Sequence, residues 1–415
     1  MAITAATVWE IRTTGLNTNG GGFDNLSPGV SVDYSQQDTP ILTRSDFQKG
    51  TGLNDITTAA GVACFTQAMI GNIICLLNTS VGFFQITTVS GDLKTITVDI
   101  AVGAFTGKTG SVGGAFKLGG VNDSRFFGSG SKANNNVIHI KAGTYTLTGN
   151  VQAQHILVFL GYNAARNDNP TGANRPVIDG ASSYLGTSSY CFLHNLILTG
   201  SGSAAFSQTV GRCYGYKCKF LNTNAVESDR AACSTIVGIF EHCEFSSVKG
   251  TGFEGGRITA NCCYFHDGNT GIVSEELNVQ DCVFANLSVP ATLPPAGINI
   301  FSADASLANI SGCIFYACSN GILNTVGMCT GAVIVNNIFS CLTGITWYTT
   351  ASTNINVFDY NCYFCSVADV VNLSKGSHDI TADPLFMYPL TNDFRLSVGS
   401  PCFNTGMQLG SIVGL

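Results

Sequence analysis

Three acidic residues recur at nearly the same place in successive segments of this sequence. Asp229, Glu254 and Glu275 follow the preceding phenylalanine by nine, nine and ten residues. If these segments stack, the carboxylates would form a row with Arg230 and Arg257 beside it. Glycoside hydrolysis requires two carboxyl groups held about 5 Å or about 6.5–9.5 Å apart. The row is therefore a weak candidate for catalysis or for the calcium site of a lyase, and its alternative is a set of solvated turn charges.

An aromatic pair offers a different kind of site. Trp347 and Tyr348 are adjacent, and Trp347 is one of only two tryptophans among the 415 residues. Aromatic side chains with a polar edge suit surfaces where one side is apolar and the other is wet. We treat this pair as the candidate glycan-binding patch, and lateral packing against a neighbouring subunit as the alternative.

Two other motifs carry less chemistry. His266-Asp267 has the residue types of a catalytic dyad, but no third partner is visible, and a polar pair in a turn usually binds its own backbone. The stretch "GAFTGKTG" at 103–110 has three residues between its glycines, where a phosphate-binding loop needs four. We interpret the first as a polar turn and the second as a glycine turn.

The 17 cysteines raise the question of metal binding. A structural zinc site needs about four converging ligands at short spacings, and no second half of such a set is present. The odd number of cysteines and the lack of a signal segment argue against a secreted disulfide framework. We therefore expect no metal and no cofactor, and we expect most thiols to be buried as small apolar side chains.

The cysteines belong to a repeat. The pair Cys-x-Phe recurs with 19 to 31 residues between successive phenylalanines, an Asn replaces the Cys once, and a Gly-apolar step follows most copies. Alternating runs such as "RITANC" and "LNVQDC" precede the pairs, which is typical of strands. The predicted ladder residues are Cys218, Phe220, Cys243, Phe245, Cys263, Phe265, Cys282, Phe284, Cys313, Phe315, Phe339, Cys362 and Phe364.

Short strands every 20–25 residues, with no helical stretch between them, predict an all-β parallel β-helix of about nine to ten coils. Residues i and i+2 of a strand share a face, so Cys and Phe of each pair should both point inward. Equivalent residues should then stack about 4.8 Å apart along the axis.

The flanking segments predict four domains. Residues 1–45 are rich in Gly, Asn and Thr and indicate an extended N-terminal arm. Residues 46–125 indicate a small β-rich module that caps and anchors the β-helix, since an uncovered coil would expose a sheet edge. The β-helix itself is expected over 126–380, and a C-terminal cap with three prolines over 381–415.

Composition limits the class of partner. Charged residues make up 11% of the chain, and the formal net charge is −7. Nucleic-acid binding requires a basic stripe, so we expect no nucleic-acid partner. No apolar run reaches the roughly 18 residues of a membrane span, and no basic and apolar N-terminal leader is present. We therefore expect folding in a cytosol and no membrane span.

A family resemblance rests on both ends of the chain. "IHIKAGTYTL" and the C-terminal "DPLF…DFRL…GSPCFNTG" resemble the right-handed parallel β-helix superfamily of pectate-lyase-like proteins. "VWEIRTTGLNTNGGGFD" and the 46–120 module are similar to bacteriophage and environmental viral proteins. The resemblance implies a right-handed coil and a virion β-helix protein. The superfamily also contains polysaccharide lyases and glycosidases, but the polygalacturonase signatures Asn-Thr-Asp, Gly-His-Gly and Arg-Ile-Lys are missing.

These observations favour a non-enzymatic structural protein on a phage-like virion surface, assembled in the host cytoplasm. It would be a capsid decoration or cement protein, or a short tail spike. We expect a homotrimer that contacts capsid or tail proteins through its N-terminal region, with host surface glycan as a further candidate partner. The alternatives are a polysaccharide lyase or glycoside hydrolase acting on host envelope glycans, and a non-catalytic glycan-binding adhesin.

Overall fold

The computed structural model describes residues 7–77, 82–118, 136–153, 156–200, 204–223, 231–290, 294–301, 306–324, 329–347 and 355–403. Contacts divide the chain into two compact units. The first contains residues 1–178 and 187–196, and the second contains residues 179–186 and 197–415. This division differs from the four expected domains because the N-terminal segment, the small module and the first parallel strands share one unit.

Up to residue 196, the described strands are short and follow one another closely. In chain order they are β1 (Val8–Ile11), β2 (Gly22–Phe23), β3 (Leu42–Lys49), β4 (Asp55–Thr58), β5 (Ile73–Leu77), β6 (Gly82–Val89), β7 (Thr95–Val98), β8 (Lys108–Val112), β9 (Asn136–Lys141), β10 (Thr144–Thr146), β11 (Val151–Ala153), β12 (Leu157–Tyr162), β13 (Val177–Asp179), β14 (Leu185–Thr187) and β15 (Cys191–His194). Single 3₁₀ turns lie at Tyr34–Gln36, Gln67–Met69 and Gly172–Asn174.

The small module is a closed barrel of six strands in the order β3-β4-β7-β6-β5-β8, with antiparallel neighbours. Alternation along β4 and β7 buries every second side chain, which is the pattern of a strand with one face on a core. Phe47 and Phe65 stack with ring centroids 6.1 Å apart inside this core.

The N-terminal segment is part of the folded unit. Strand β1 pairs in parallel with β9, which pairs in parallel with β12. Trp9 is fully buried and meets Phe116 edge-on at 6.2 Å. The expectation of an extended arm over residues 1–45 therefore does not describe residues 8–11, because their apolar side chains face a core.

The second unit contains the long parallel sheets. Its strands are β16 (Ile197–Gly200), β17 (Phe206–Gln208), β18 (Cys213–Tyr216), β19 (Lys219–Asn222), β20 (Cys233–Glu241), β21 (Glu244–Ser247), β22 (Thr251–Asn261), β23 (Tyr264–Gly268), β24 (Thr270–Gln280), β25 (Val283–Leu287), β26 (Ala296–Ile300), β27 (Ser306–Ser311), β28 (Ile314–Tyr316), β29 (Asn320–Asn324), β30 (Cys329–Val335), β31 (Ile338–Ser340), β32 (Thr343–Thr346), β33 (Ile355–Asp359), β34 (Cys362–Tyr363), β35 (Ala368–Val371), β36 (Ile380–Thr381), β37 (Phe386–Tyr388) and β38 (Asp393–Leu396). A 3₁₀ turn at Pro389–Thr391 joins the last two.

One sheet of this unit takes a single strand from each successive coil. Its described order is β16-β19-β21-β23-β25-β28-β31-β34-β36, with parallel pairing where the register is known. The other sheet contains the long strands β20, β22 and β24, which are continued in later coils by pairs of shorter strands. The predicted all-β parallel β-helix is confirmed by this pairing.

The phenylalanines form an aromatic column inside the β-helix. Phe245 and Phe265 lie with ring centroids 4.7 Å apart and nearly parallel planes. The other successive rings are 4.8–5.1 Å apart. These separations match the strand spacing, because in-register parallel strands place identical side chains directly above one another.

The last member of the predicted ladder is wrong. Tyr363, not Phe364, stacks on Phe339, and Phe364 is 49% exposed. Cys362 pairs with Ile338, so it lies on the outer face of the sheet and not in the thiol column. The shift arises because Asn361 takes the position of the ladder cysteine.

The thiol column becomes an asparagine column at its C-terminal end. The amide N–H of Cys313 donates to the side-chain oxygen of Asn337 at 2.9 Å, and the N–H of Asn337 donates to that of Asn361 at 3.0 Å. The N–H of Cys263 donates to the sulfur of Cys282 at 3.3 Å in the same way. Cys and Asn are therefore interchangeable here because both present an acceptor to the backbone of the preceding coil.

A sharp corner precedes each ladder position. The residue before it has a positive φ of 51–66° in the coils that contain Lys217, Asp281 and Gly312. Cys262 is one of these corner residues, with φ 52°, which explains why it faces away from the ladder residue Cys263. The left-handed conformation turns the chain from one sheet to the next.

A glycine column follows the rings. A Cβ on Gly297 would lie 2.5 Å from the ring of Phe315 and 2.6 Å from the carbonyl oxygen of Gly321. Gly271 and Gly321 have the same surroundings in neighbouring coils. The Gly-apolar steps of the sequence therefore mark places where the backbone packs directly against the aromatic column.

Candidate functional site

The predicted acidic row can be tested for two of its three members, since Asp229 lies outside the described residues. Glu254 on β22 is opposite Val273 of β24, while Arg257 is opposite Glu276. Glu275 is therefore displaced by two positions along the strand from the residue opposite Glu254. The two carboxylates share an exposed surface but do not stack, because Val273, the partner of Glu254, follows Phe265 by eight residues and Glu275 follows it by ten.

Two charged side chains on the exposed surface of β22 and β24 form a cross-strand pair. Arg257 forms an ion pair with Glu276, and both side chains are solvent-accessible. Such exposed pairs contribute little to stability. In the described part of the chain, the arrangement matches solvated strand charges better than a pair of catalytic carboxylates.

The candidate glycan patch is not formed as predicted. Trp347 is only 7% exposed, and its ring meets Phe358 edge-on at 5.2 Å. Because Ile345 points inward, the alternation of the strand also turns Trp347 inward. Tyr348 lies outside the described residues. Trp347 is thus a core residue and not a sugar-stacking platform.

The His266-Asp267 step belongs to a larger polar cluster on the outer face of the single-strand sheet. His266 Nδ1 lies 2.8 Å from Asp267 Oδ2, and its Nε2 lies 3.1 Å from Glu244 Oε1. Lys219 Nζ lies 2.6 Å from Glu244 Oε2. The amide of Asn286 donates to Asp267 Oδ1 at 3.2 Å. We call these five residues the imidazole cluster.

Strand register assembles the imidazole cluster. Lys219 and Glu244 are cross-strand neighbours on β19 and β21, and His266 follows in β23 next to Ser246. The ring of Tyr264 stacks on His266 at 4.3 Å. The sequence signal was present, since these residues occupy outward positions of three successive repeats, but their register was needed to bring them together.

Protonation in the imidazole cluster follows from its contacts. Burial would lower the pKa of His266, but its bonds with Glu244 and Asp267 outweigh burial and raise that pKa. Burial would raise the pKa of Glu244, but hydrogen bonds from His266 and Lys219 lower it. These contacts therefore favour the protonated imidazole of His266 and the ionised carboxylate of Glu244, and both imidazole nitrogens already have partners. A general base needs a nitrogen directed at substrate, so this arrangement favours a structural role.

A second polar cluster lies in the first unit. The carboxylate of Glu10 is completely buried and receives hydrogen bonds from Arg12 Nε and Arg166 Nε, each at 2.9 Å. The phenol of Tyr162 also donates to Glu10. Arg166 continues to Asp33 at 2.8 Å. We call this set the Glu10 cluster, and sequence reasoning missed it because its members are up to 156 residues apart.

His139 is the cross-strand neighbour of Glu10 in the first unit. Burial and the charge of Arg166 lower its pKa to about 4. Its Nδ1 is buried without a hydrogen-bond partner among the described residues. The imidazole is therefore held neutral beside a strongly charged cluster.

A shallow groove of about 460 Å³ is present in the second unit. It is lined by Tyr316, Leu342, Phe364, Ser319 and Ser340, among others. Phe364 is the ring that the ladder prediction had placed in the core. Its exposed position makes it a better candidate than Trp347 for contact with a ligand.

Other chemistry has little support in the described part of the chain. No three or more His, Cys, Asp or Glu side chains there are arranged so that they could hold a metal ion. None of the described helices is long and apolar enough to cross a membrane. Ser377 and Asp359 both contact Nδ1 of His378, at 3.1 and 2.7 Å. A Ser-His-Asp triad needs them on opposite ring nitrogens.

Comparisons with known proteins give structural similarities only. No family model matches the chain, and no curated protein matches it. Among solved structures, the tailspike protein gp49 from Pseudomonas phage LKA1 is 11% identical, with TM-score 0.28, 83% of this chain covered and 66% of that chain. The chain thus spans slightly less than two thirds of that tailspike chain.

Two catalytic domains show comparable similarity. The Agl-KA catalytic domain is 9% identical, with TM-score 0.31, 80% of this chain covered and 77% of that chain. The catalytic domain of a GH87 alpha-1,3-glucanase in complex with tetrasaccharides is 8% identical, with TM-score 0.19, 83% of this chain covered and 89% of that chain. The strand pairing itself defines the fold, and by that pairing the chain is a parallel β-helix protein.

Proposed function

We propose that this chain is a non-enzymatic structural protein on the surface of a phage-like virion, as a capsid decoration or cement protein or a short tail spike. The observation that carries the proposal is the unbroken aromatic column from Phe220 to Tyr363 inside in-register parallel strands. Such a repeat transmits load through identical nearest-neighbour contacts. A repeat of this kind is therefore expected to be stiff and resistant to proteases.

Lateral packing of copies is supported by exposed apolar side chains. Val333 and Val357 are cross-strand neighbours with outward side chains that are 41% and 44% exposed, and Leu307 of the preceding coil is 60% exposed. Contiguous apolar surface marks interaction sites on soluble proteins. We propose a side-by-side homotrimer, with capsid or tail proteins bound through the N-terminal region.

Electron microscopy of purified particles that contain this chain tests the proposal. Antibody against the C-terminal hairpin of β37 and β38 should label the particle at regular surface positions, and sedimentation of the isolated protein should give a trimer. Absence of the chain from purified particles would overturn the proposed location. A monomer in sedimentation would overturn the lateral packing.

A polysaccharide lyase or glycoside hydrolase is the competing proposal. Glu254 and Glu275 share an exposed surface on adjacent strands, so the Glu254→Gln and Glu275→Gln variants address it directly. Host-polysaccharide depolymerisation by the native protein that is lost in these variants, but kept in the Arg257→Gln control, would establish enzymatic function.

Glycan binding without catalysis is favoured by one observation, the exposed ring of Phe364 beside the serine hydroxyls of the groove. A flat apolar ring with neighbouring hydrogen-bonding groups is a suitable surface for a neutral sugar. Phe364→Ala should abolish a glycan-array signal, while Tyr388→Ala, at another exposed aromatic, should preserve it. An unchanged signal would exclude the groove as the adhesive site.

A further inference from the structure

The C-terminal segment covers an apolar face of the β-helix. Strands β37 and β38 form an antiparallel hairpin. Phe394 is buried, and Phe386 packs with it against Ile314 and Ile338 on the outer face of the single-strand sheet. Removal of the hairpin would expose this apolar surface to water, so the hairpin acts as a cover.

Two thiols meet under the cover. Cys362 lies on β34 within the covered surface, and Cys402 packs against the same cluster from the C-terminal segment. Both side chains pack in the same apolar cluster, where each shifts the pKa of the other. Ser400 fixes the backbone beside Cys402. Its hydroxyl donates a hydrogen bond to the carbonyl of Pro384 at 2.6 Å and accepts one from the N–H of Cys402 at 3.1 Å.

The Cys362–Cys402 contact differs from the other thiol contacts. The ladder thiols, such as Cys243 and Cys263, are fully buried and emerge from stacked strands in the same direction. Cys341 and Cys365 also shift one another's pKa, but they belong to successive coils of the β-helix. Only a Cys362–Cys402 bond, among these contacts of the described residues, would join the cover to the coils.

Chemical reactivity favours Cys402 as the initiating thiol. It is partly exposed, whereas Cys362 is buried. The contact with Cys362 lowers the pKa of Cys402 and outweighs burial, which would raise it. A thiolate is the nucleophile in thiol–disulfide exchange.

We propose that Cys362 and Cys402 are a modification site, at which a small-molecule disulfide such as oxidised glutathione closes a protein disulfide that fastens the C-terminal cover to the β-helix. The Cys402 thiolate attacks one sulfur of the small disulfide and expels one thiolate. Cys362 then attacks Cys402 of the mixed disulfide, and its proton passes to the second small thiolate as that thiolate is expelled. Two protein thiols are oxidised, and one small disulfide is reduced to two thiols.

The proposal does not depend on the virion function. It requires only that the folded chain meets an oxidant after folding in a reducing compartment. Its test uses the purified full-length protein, so failure of the function assays and failure of this assay are distinguishable.

The test combines peptide mapping with proteolysis. Folded protein is treated with oxidised glutathione, blocked with iodoacetamide and digested for non-reducing mass spectrometry. We expect a Cys362–Cys402 linked peptide, and at least about tenfold slower cleavage of the C-terminal segment by a protease. A reducing agent should reverse both effects.

Variants separate the outcomes. Cys402→Ser and Cys362→Ser should abolish the protection, while Cys365→Ser should retain it. If Cys362→Ser unfolds the protein, Cys402→Ser still gives the answer because Cys402 lies outside the coils. A stable glutathione adduct on Cys402, an exclusive Cys341–Cys365 bond, or a linked peptide without any protection would each overturn the proposal.

Discussion

The aromatic column of the second unit and the Glu10 cluster of the first unit are both buried, but they stabilise the chain in different ways. In the column, each ring contacts the ring of the next coil, and no buried charge is involved. In the Glu10 cluster, a fully buried carboxylate is satisfied by groups from distant parts of the sequence, such as Tyr162 and Arg166. Repeating coils can be stabilised by neutral contacts between each coil and the next. In the non-repeating first unit, a buried charge network specifies one arrangement of distant segments.

This comparison predicts the largest single loss of stability in the column. Phe265→Ala should reduce the free energy of unfolding by about 3–5 kcal/mol, because the removed ring leaves a cavity between Phe245 and Phe284. Chemical denaturation monitored by circular dichroism measures the loss. Phe364→Ala is the matched control and should cost less than about 0.5 kcal/mol, since that ring is exposed. If both variants lost the same free energy of unfolding, the aromatic column would not be the source of this stability.

Acid should affect the first unit through His139. Its folded-state pKa is depressed, so the unfolded state binds more protons between about pH 6.5 and about pH 4, and stability falls as pH falls through this window. Because water reaches part of the side chain, we expect a loss of about 2 kcal/mol, less than the full shift.

Tryptophan fluorescence isolates this effect. Trp9 reports on the first unit and Trp347 on the second, so a Trp347→Phe background leaves only the Trp9 signal. In that background, both His139→Leu and His139→Asn should flatten the dependence of unfolding on pH from 6.5 to 4. An undiminished slope in both variants would assign the acid response to another group.

Adding a methyl group in the glycine column should lower the stability of the protein. Gly297→Ala should cost about 1–3 kcal/mol, because the new Cβ would lie closer than van der Waals contact to the Phe315 ring and the Gly321 carbonyl oxygen. Thermal unfolding measures the loss. Gly103→Ala is the control, since no atom lies within 4 Å of the place that its added methyl group would take, and it should be close to neutral. A neutral Gly297→Ala would show that the coils can separate locally.

A substitution at a residue with positive φ should have the smallest effect on the free energy of unfolding, and it should increase stability. Ala317 has φ 51°, a conformation that costs a non-glycine residue about 1–2 kcal/mol. Ala317→Gly should therefore raise stability by about 0.5–1 kcal/mol after the added flexibility of the unfolded chain is subtracted. Ala368→Gly, within strand β35, should lower stability instead. A loss in both variants would contradict the strain at the corner.

Sequence reasoning was strongest where the repeat is regular. The spacing of Phe220, Phe245 and Phe265 predicts their burial and stacking, because a parallel coil repeats the environment of each position. It failed at the last coil, where Asn361 replaces the ladder cysteine and moves Tyr363 into the column in place of Phe364. A pattern of residue types cannot distinguish these registers, since both place an aromatic residue near the expected position.

The candidate sites show the same limit. Nearly equal offsets suggested that Glu254 and Glu275 stack, but the strand register pairs Glu254 with Val273, two positions before Glu275. Trp347 was expected at the surface because tryptophan is rare here, but strand alternation turns it inward. Asp229 and Tyr348 remain untested expectations.

The amino-acid sequence by itself determined the coil, its aromatic column and its glycine steps, because these depend on contacts that recur with the period of the chain. The tertiary structure alone decided the Glu10 cluster, the imidazole cluster and the meeting of Cys362 with Cys402. Those contacts join residues with no fixed spacing in the sequence. Their geometry follows from strand register and turn length, which are settled only when the whole chain has packed.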